Sequence, residues 1–238
     1  MNAQHHLDEA TIVSYSAGAL PTGLAVIAAA HLQLCPTCRA RWSEAERIGG
    51  QLMAAQADMT VSTPLVEKDP IQKAAPQNAE ALRLKQREAM LARLAEPEVT
   101  EPVTAAPDFT DADLLPVSLH PYFGQRYSQL AWRRLIPGVR MIRGQAPGQG
   151  SLVMFNITPG TSMPVHSHGR SELTQVLKGS YRDAIGQFGP GDIADLDETI
   201  EHQPVAWGDI PCICVAATDA PLRFSGLIPR LMQPFIGL

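Results

Sequence analysis

The chain has 238 residues, a length that allows one large domain or two small ones. Apolar residues make up 45% of the chain and charged residues 18%, which predicts a globular protein with a packed core. The net charge of −5, from 24 acidic and 19 basic residues, argues against direct binding of nucleic acid, because such binding needs clustered Lys and Arg.

The amino-terminal residues indicate the cellular compartment of the protein. The first six residues have no Lys or Arg ahead of an apolar run, so they do not predict a secretory signal. Residues 10 to 38 contain no Asp, Glu, Lys or Arg, but Gly18, Pro21 and Gly23 interrupt them, which indicates short core helices rather than a membrane span. Four cysteines without a leader fit a reducing compartment. We therefore expect a cytoplasmic protein with no membrane partner.

The first two helices are predicted between residues 7 and 34. The first has Asp8 as its N-cap and continues to about Ala19, before Pro21. The second covers residues 22 to 34 and has one buried stripe. That stripe consists of Leu24, Ile27, Ala28 and His31.

Two further helices are predicted before residue 96. The third begins at Pro36, because proline suits the first helical turn, and it turns Trp42, Ala45 and Leu52 toward the core. The fourth covers residues 78 to 95. These helices indicate an N-terminal four-helix domain.

A proline-rich, acidic stretch follows and is typical of a semi-rigid linker. Its prolines are Pro97, Pro102 and Pro107. We predict a helical domain at residues 1–95, a linker at 96–115 and a second domain at 116–238.

After the linker the apolar pattern changes to short runs between Gly and Pro turns, which is typical of strands. The clearest runs are residues 152–157, 173–177 and 213–217. Several such runs indicate a β-sandwich or small barrel. The predicted fold class is therefore α+β in two domains, with helices first and strands second.

A first candidate metal site lies in the helical half. His31, Cys35 and Cys38 are spaced so that a helix end and the next helix start bring them together, and His6 can reach them from the chain's start. Two thiolates and two imidazoles close the four positions of a structural Zn²⁺ site, which would staple the four helices. His5 is an alternative to His6.

Two other interpretations of this group stay open. Cys35 and Cys38 could be ordinary small core residues, and His31 a buried helix histidine. Alternatively, a helix N-terminus lowers thiol pKa, so oxidation with release of zinc is chemically possible.

A second candidate metal site lies in the β half. Gly160, His166, His168, Glu172 and Gly179 follow the pattern G-x5-H-x-H-x3-E-x6-G, the first cupin motif. Residues two apart on an extended segment face the same side, so both histidines point into the barrel, and the glutamate returns from the next strand. The alternative is a set of surface polar residues on a strand.

A fourth ligand is needed, and His202 is the remaining candidate histidine apart from His120. Three imidazoles and a carboxylate suit Zn²⁺, Mn²⁺, Fe²⁺ or Ni²⁺. Cys212 and Cys214 point the same way on a predicted strand, and core packing is favoured over a disulfide because their spacing is awkward for one.

The two motifs together resemble the ChrR-like anti-sigma factors, which combine a zinc anti-sigma domain with a C-terminal cupin. Residues 31 to 38 match that family's His-x3-Cys-x2-Cys signature, and the four β-half residues match the cupin metal ligands. The second cupin motif departs from its usual Pro-x-Gly-x-x-His, because Asp197 to His202 stand in its place.

The resemblance implies a helical domain that wraps one group IV (extracytoplasmic-function) sigma factor as a 1:1 heterodimer. It also implies a cupin that senses singlet oxygen or organic peroxide and triggers release. The predicted protein is thus a regulator and not an enzyme. The alternative is a metal-dependent cupin dioxygenase with an N-terminal zinc-binding regulatory domain.

Overall fold

The computed structural model describes residues 3–60, 85, 87–89, 111–147 and 150–224. Residues 1–50 and 111–238 form one compact unit, and residues 51–110 form another. Within the described residues, no helix is long and apolar enough to cross a membrane.

Helices come first along the chain, as predicted. The three long ones are α1 (Glu9–Ser16), α2 (Thr22–Leu34) and α3 (Pro36–Thr60). Short helical turns follow residue 111, namely the 3-10 helices Val117–Leu119 and Tyr127–Gln129 and helix α4 (His120–Phe123). The predicted fourth helix, residues 78 to 95, lies largely outside the described residues, although 85 and 87–89 are helical.

The helix boundaries agree with the sequence pattern except at the end of α1. Asp8 occupies the predicted N-cap position, and α1 ends at Ser16 instead of near Ala19. The chain turns there because Gly18 adopts φ +65°, a conformation that glycine adopts without a Cβ penalty. The predicted stripe of α2 is buried as expected.

Helix α3 differs from its prediction in one side chain. Trp42 and Ala45 pack against the core, but Leu52 is 63% exposed, so its predicted inward orientation is wrong. Gly49 and Gly50 do not end the helix, which continues to Thr60. An apolar position in a helical pattern marks a face, and the pattern alone cannot say what covers that face.

The strands form one large sheet and two small ones. In chain order they are β1 (Arg133–Ile136), β2 (Val139–Arg143), β3 (Ser151–Ile157), β4 (His166–Ser167), β5 (Glu172–Lys178), β6 (Ser180–Arg182), β7 (Gln187–Phe188), β8 (Ile193–Leu196), β9 (Glu201–His202), β10 (Val205–Trp207), β11 (Cys212–Thr218) and β12 (Arg223–Phe224). The large sheet has the order β1-β2-β3-β11-β5-β8, and the small ones are β10-β6-β7 and β12-β4-β9. The three predicted apolar runs lie within β3, β5 and β11.

The central strands of the large sheet are buried on both faces. Leu152 and Val215 belong to a core shared with α1 and α2, whereas Val153 and Cys214, one position away on each strand, belong to a second core inside the β domain. Gly23 allows α2 to approach closely, because a Cβ there would lie 3.2 Å from the Ser151 carbonyl oxygen. The sheet is therefore packed between the N-terminal helices and the barrel interior.

The predicted boundary near residue 95 lies outside the described residues, as does most of the predicted linker at 96–115. Within the described part, the N-terminal helices and the large sheet share one apolar core. The domain boundaries stay a prediction, while the α+β arrangement is confirmed.

Candidate functional site

The structure brings the eight predicted site residues together in two groups of four. Within each group the nearest ligand atoms all lie within 4.8 Å of one another. The N-terminal cluster is His6, His31, Cys35 and Cys38, and the cupin cluster is His166, His168, Glu172 and His202.

The N-terminal cluster forms where α2 ends and α3 begins. His31 lies in the last turn of α2, Cys35 is the extended residue after it, and Cys38 lies in the first turn of α3. The His31 Nε2 lies 3.3 Å from the Cys38 Sγ, and the His6 Nδ1 lies 3.3 Å from the Cys35 Sγ. Pro36 is the first residue of α3, so only Cys35 separates the two helices. This short link brings His31, Cys35 and Cys38 together.

His5 and His6 are the two alternatives for the fourth member of the N-terminal cluster, and they have different surroundings. His6 faces Cys35, whereas the His5 ring packs 4.2 Å from the ring of Phe188 and its Nε2 lies 3.1 Å from the Gln187 carbonyl oxygen. The structure therefore places His6 in the cluster, and His5 against strand β7.

Burial perturbs two groups of the N-terminal cluster. Together with the nearby His6, it lowers the pKa of His31 to about 4. Burial raises the pKa of the Cys38 thiol to about 11. Two imidazoles and two thiols enclosed in this way match the donor chemistry of a closed structural zinc site. Because thiols bind the metal as thiolates, its binding would release protons.

A short segment before α1 ties the N-terminal cluster to the β domain. We call residues 4–8 the strap. The backbone N–H groups of Gln4 and His5 donate to the Asp192 Oδ1, the second at 3.1 Å, and the N–H of Asp8 donates to the Asp195 Oδ2 at 3.0 Å. The strap carries His6, so strand β8 and the turn before it set the position of this histidine.

The cupin cluster is assembled on neighbouring strands. His166 and His202 are direct partners on β4 and β9, and their Nε2 atoms are 3.1 Å apart. His168 follows β4, and its Nε2 lies 3.2 Å from the Oε2 of Glu172, the first residue of β5. All four are buried, with exposed fractions of 7% or less.

Each cupin imidazole has its second nitrogen occupied by the protein. The Nδ1 of His166 lies 2.9 Å from the Pro164 carbonyl oxygen, and that of His168 lies 3.3 Å from the Asp197 carbonyl oxygen. These acceptors leave both Nε2 atoms directed at the common point, an orientation that is typical of metal-binding histidines.

A buried carboxylate holds the third imidazole. The Asp183 Oδ2 lies 2.9 Å from the His202 Nδ1, and the Asp183 Oδ1 accepts hydrogen bonds from the N–H groups of Ile185 and Gly186. Burial raises the pKa of Asp183, but the hydrogen bond with His202 outweighs this and the pKa is lowered. Sequence reasoning missed Asp183, which lies in a β6–β7 turn that no motif marks.

The carboxylate of the cupin cluster is kept ionised. Burial alone would raise the pKa of Glu172, but the hydrogen bond from His168 and the surrounding imidazoles lower it to about 2. The Thr174 hydroxyl also donates to its Oε1 at 2.9 Å. An ionised carboxylate and three oriented imidazoles fit a divalent transition metal.

Cys212 and Cys214 lie in the β-domain core and are not joined by a disulfide bond. A hydrogen bond with Cys212, together with burial, raises the pKa of Cys214. A protonated, buried thiol is a poor nucleophile, which favours the core-packing interpretation.

Comparison with known proteins gives related results for both halves of the chain. Residues 123–220 match the family described as the ChrR cupin-like domain. The chain is 35% identical over 235 residues to the anti-sigma-E factor ChrR of Cereibacter sphaeroides, which covers 99% of each protein.

A solved structure gives the same relationship. It is the crystal structure of Rhodobacter sphaeroides SigE in complex with the anti-sigma ChrR, and the matched chain shows 31% identity and a TM-score of 0.65. The match covers 92% of this chain and 100% of the other. The similarity covers nearly the full length of both chains, and the chain therefore belongs to the ChrR family of anti-sigma factors.

Proposed function

We propose that this chain is a cytoplasmic anti-sigma factor that binds one group IV sigma factor as a 1:1 heterodimer and keeps it inactive. The observation that carries the proposal is the match to an anti-sigma factor over 99% of both chains. It is supported by the similarity to a chain solved in complex with SigE. Binding and release of a partner require no catalytic turnover by this chain.

The N-terminal helices supply a surface suited to such a partner. Val13 on α1 is 58% exposed and Ile48 on α3 is 45% exposed. Large apolar side chains that are exposed on helices are a common feature of protein interfaces. We propose that the sigma factor covers these side chains.

We propose Zn²⁺ for both clusters, with different tasks. In the N-terminal cluster the ion fixes the α2–α3 junction and thereby the surface that binds the sigma factor. In the cupin cluster the ion belongs to the sensory half, which responds to singlet oxygen or organic peroxide by releasing the sigma factor. Mn²⁺, Fe²⁺ and Ni²⁺ suit the cupin donors too, and metal analysis of the purified chain distinguishes them.

The test of sigma-factor binding is co-purification with each candidate sigma factor, using matched surface variants. V13D and I48D each place a charge on the proposed interface and should abolish the complex. I210D and I185D are the controls, because Ile210 and Ile185 are 59% and 43% exposed in turns of the β domain. A complex that survives V13D and I48D, or that is lost equally in the controls, would contradict the proposal.

The second candidate function, a cupin dioxygenase, has one observation in its favour. The cupin cluster borders an apolar cavity of about 260 Å³, which could hold a substrate. The comparisons favour regulation, and the two candidates differ in a simple measurement. An enzyme would convert a substrate in many turnovers with the iron-loaded chain alone, whereas an anti-sigma factor gives an effect only when its partner is present.

A further inference from the structure

The interior of the β domain contains a cavity that borders the cupin cluster. Its volume is about 260 Å³, and His166, Glu172 and His202 lie in its wall. The rest of the wall is almost entirely apolar and includes Val153, Phe155, Ile157, Met163 and Ala216. Three further polar residues of the wall already have partners, since Ser151 and Thr218 hydrogen-bond to each other and Thr174 donates to Glu172.

The size and polarity of the cavity restrict what can occupy it. An apolar cavity of about 150 Å³ is large enough to bind benzene and stays free of water. By the same ratio, the cavity of this chain suits a molecule of roughly ten heavy atoms. Water gains few hydrogen bonds against such a wall, so an apolar occupant is favoured.

Tyr181 adds a polar group that lacks a partner. The residue lines the cavity and is only 3% exposed, and its hydroxyl makes no hydrogen bond with any described residue. Burial raises its pKa well above the usual value, so the hydroxyl stays protonated and can donate. A buried hydroxyl without a partner is costly, and a ligand oxygen at this position would remove that cost.

We propose that this cavity binds a small, neutral, mainly apolar molecule with one oxygen-bearing end, an alcohol or hydroperoxide, and that Tyr181 hydrogen-bonds to that end. The apolar wall holds the hydrocarbon part, and the cupin cluster lies beside the oxygen. The inference rests on the proposed function in one respect, which is that the occupant is the inducing signal. Binding itself needs no sigma factor.

The aromatic contacts of Tyr181 give the occupied site a route to the N-terminal half. Its ring stacks on that of Phe188 with centroids 4.8 Å apart, and Phe188 in turn contacts His5 in the strap. A ligand that moves Tyr181 therefore acts on the segment that carries His6. A ligand can shift the sigma-bound state only through such differential contacts.

The test is calorimetric titration of the full-length, metal-loaded chain with cumyl alcohol and with cumene, which lacks the hydroxyl. We expect the wild type to bind cumyl alcohol with a Kd of about 0.1–1 mM, as suits a ligand of this size. A216L fills the cavity and should weaken both ligands at least tenfold. A112L, at an exposed turn position, is the matched control and should change neither.

A second variant tests the hydroxyl separately and preserves the ring. Y181F should weaken cumyl alcohol about threefold to tenfold and leave cumene unchanged, whereas Y122F should alter neither. Metal content and thermal midpoint show whether each variant is folded. Absence of saturable binding in the wild type, or binding that A216L and Y181F both leave unchanged, would overturn the inference. Because no sigma factor is present, these outcomes are independent of whether the chain binds one.

Discussion

The two candidate metal clusters contain four donors each, all buried except the partly buried His6, but they are held in different ways. In the cupin cluster, hydrogen-bonded strands place the ligands, and Asp183 and the Pro164 carbonyl orient two of the imidazoles. In the N-terminal cluster, the buried His31 Nδ1 makes no hydrogen bond within the described part of the chain, and His6 depends on the strap. Strand pairing therefore fixes the cupin donors, whereas the N-terminal donors have fewer protein contacts, and we expect a bound metal to hold them together.

This difference predicts which half of the molecule the loss of a metal-ligating side chain would disturb. A structural zinc ion contributes free energy of folding directly, because its site does not exist in the unfolded chain. A metal bound to strands that already pair contributes less to their stability. We therefore expect the loss of a ligand to destabilise the junction of α2 and α3 more than it destabilises the β domain.

The largest effect should follow C38S. Removing one thiolate from a structural zinc site removes part of a metal-binding free energy of about 10–16 kcal/mol, so the α2–α3 junction should be destabilised. We expect loss of about one zinc ion per chain and loss of the sigma-factor complex, measured by metal analysis and gel filtration. C212A changes a buried cysteine outside the two clusters, and this variant should keep the zinc ion and the sigma-factor complex. Retention of zinc by C38S would mean that this cluster is not a zinc site.

Acid should destabilise the metal-free chain through His31. The pKa of His31 is lowered to about 4 in the folded chain, so between pH 6.5 and 4 the unfolded chain binds this proton more readily. The contribution of His31 to the free energy of unfolding should therefore fall as pH decreases through this interval, by about 3 kcal/mol in all. Burial also lowers the pKa of His166 in the cupin cluster, so a variant of His31 is needed to isolate its share.

Urea unfolding at pH 7.5 and at pH 5 measures this effect. H31Q removes the titrating group, so the pH dependence of the wild type should exceed that of H31Q. H120Q is the matched control at a histidine outside the clusters, and it should keep the wild-type slope. Equal slopes in wild type and H31Q would show that His31 is not held neutral by burial.

A smaller effect should follow D183N, which weakens the carboxylate partner of His202. Loss of such a partner typically lowers metal affinity by about 10–100-fold. We expect this decrease at the cupin cluster alone, with the N-terminal zinc retained, in a competition titration with a chelator. D209N, at an exposed aspartate, is the control. Unchanged cupin affinity in D183N would show that the strands alone orient His202.

The smallest effect should follow D192A, which frees the backbone N–H groups of Gln4 and His5 from their carboxylate. The strap would hold His6 less firmly, and zinc should leave the N-terminal cluster several-fold faster in a chelator challenge. Each lost hydrogen bond to a charged acceptor is worth about 1.5–3 kcal/mol at most. A dissociation rate equal to that of the control D209A would show that the strap does not position His6.

The sequence predicted both clusters because most of their residues lie in two short, spaced motifs, with His6 and His202 added as the remaining candidates. It could not predict Asp183, Asp192 or Tyr181, since their roles arise from pairing between segments far apart in the chain. The sequence left His5 and His6 as alternatives, because the contacts of the strap with β8 and the turn before it decide which of them faces Cys35. Leu52 was assigned to the core because helical periodicity marks an apolar face without showing whether the protein or a partner covers it.

We propose that the N-terminal half binds the sigma factor and that the cupin triggers its release. The most direct measurement is sigma-dependent transcription in C38S and H166A cells, with and without cumene hydroperoxide. We predict that C38S is active under both conditions, and that H166A stays repressed under both. Normal induction of H166A, or repression in C38S, would contradict this division of tasks between the two clusters.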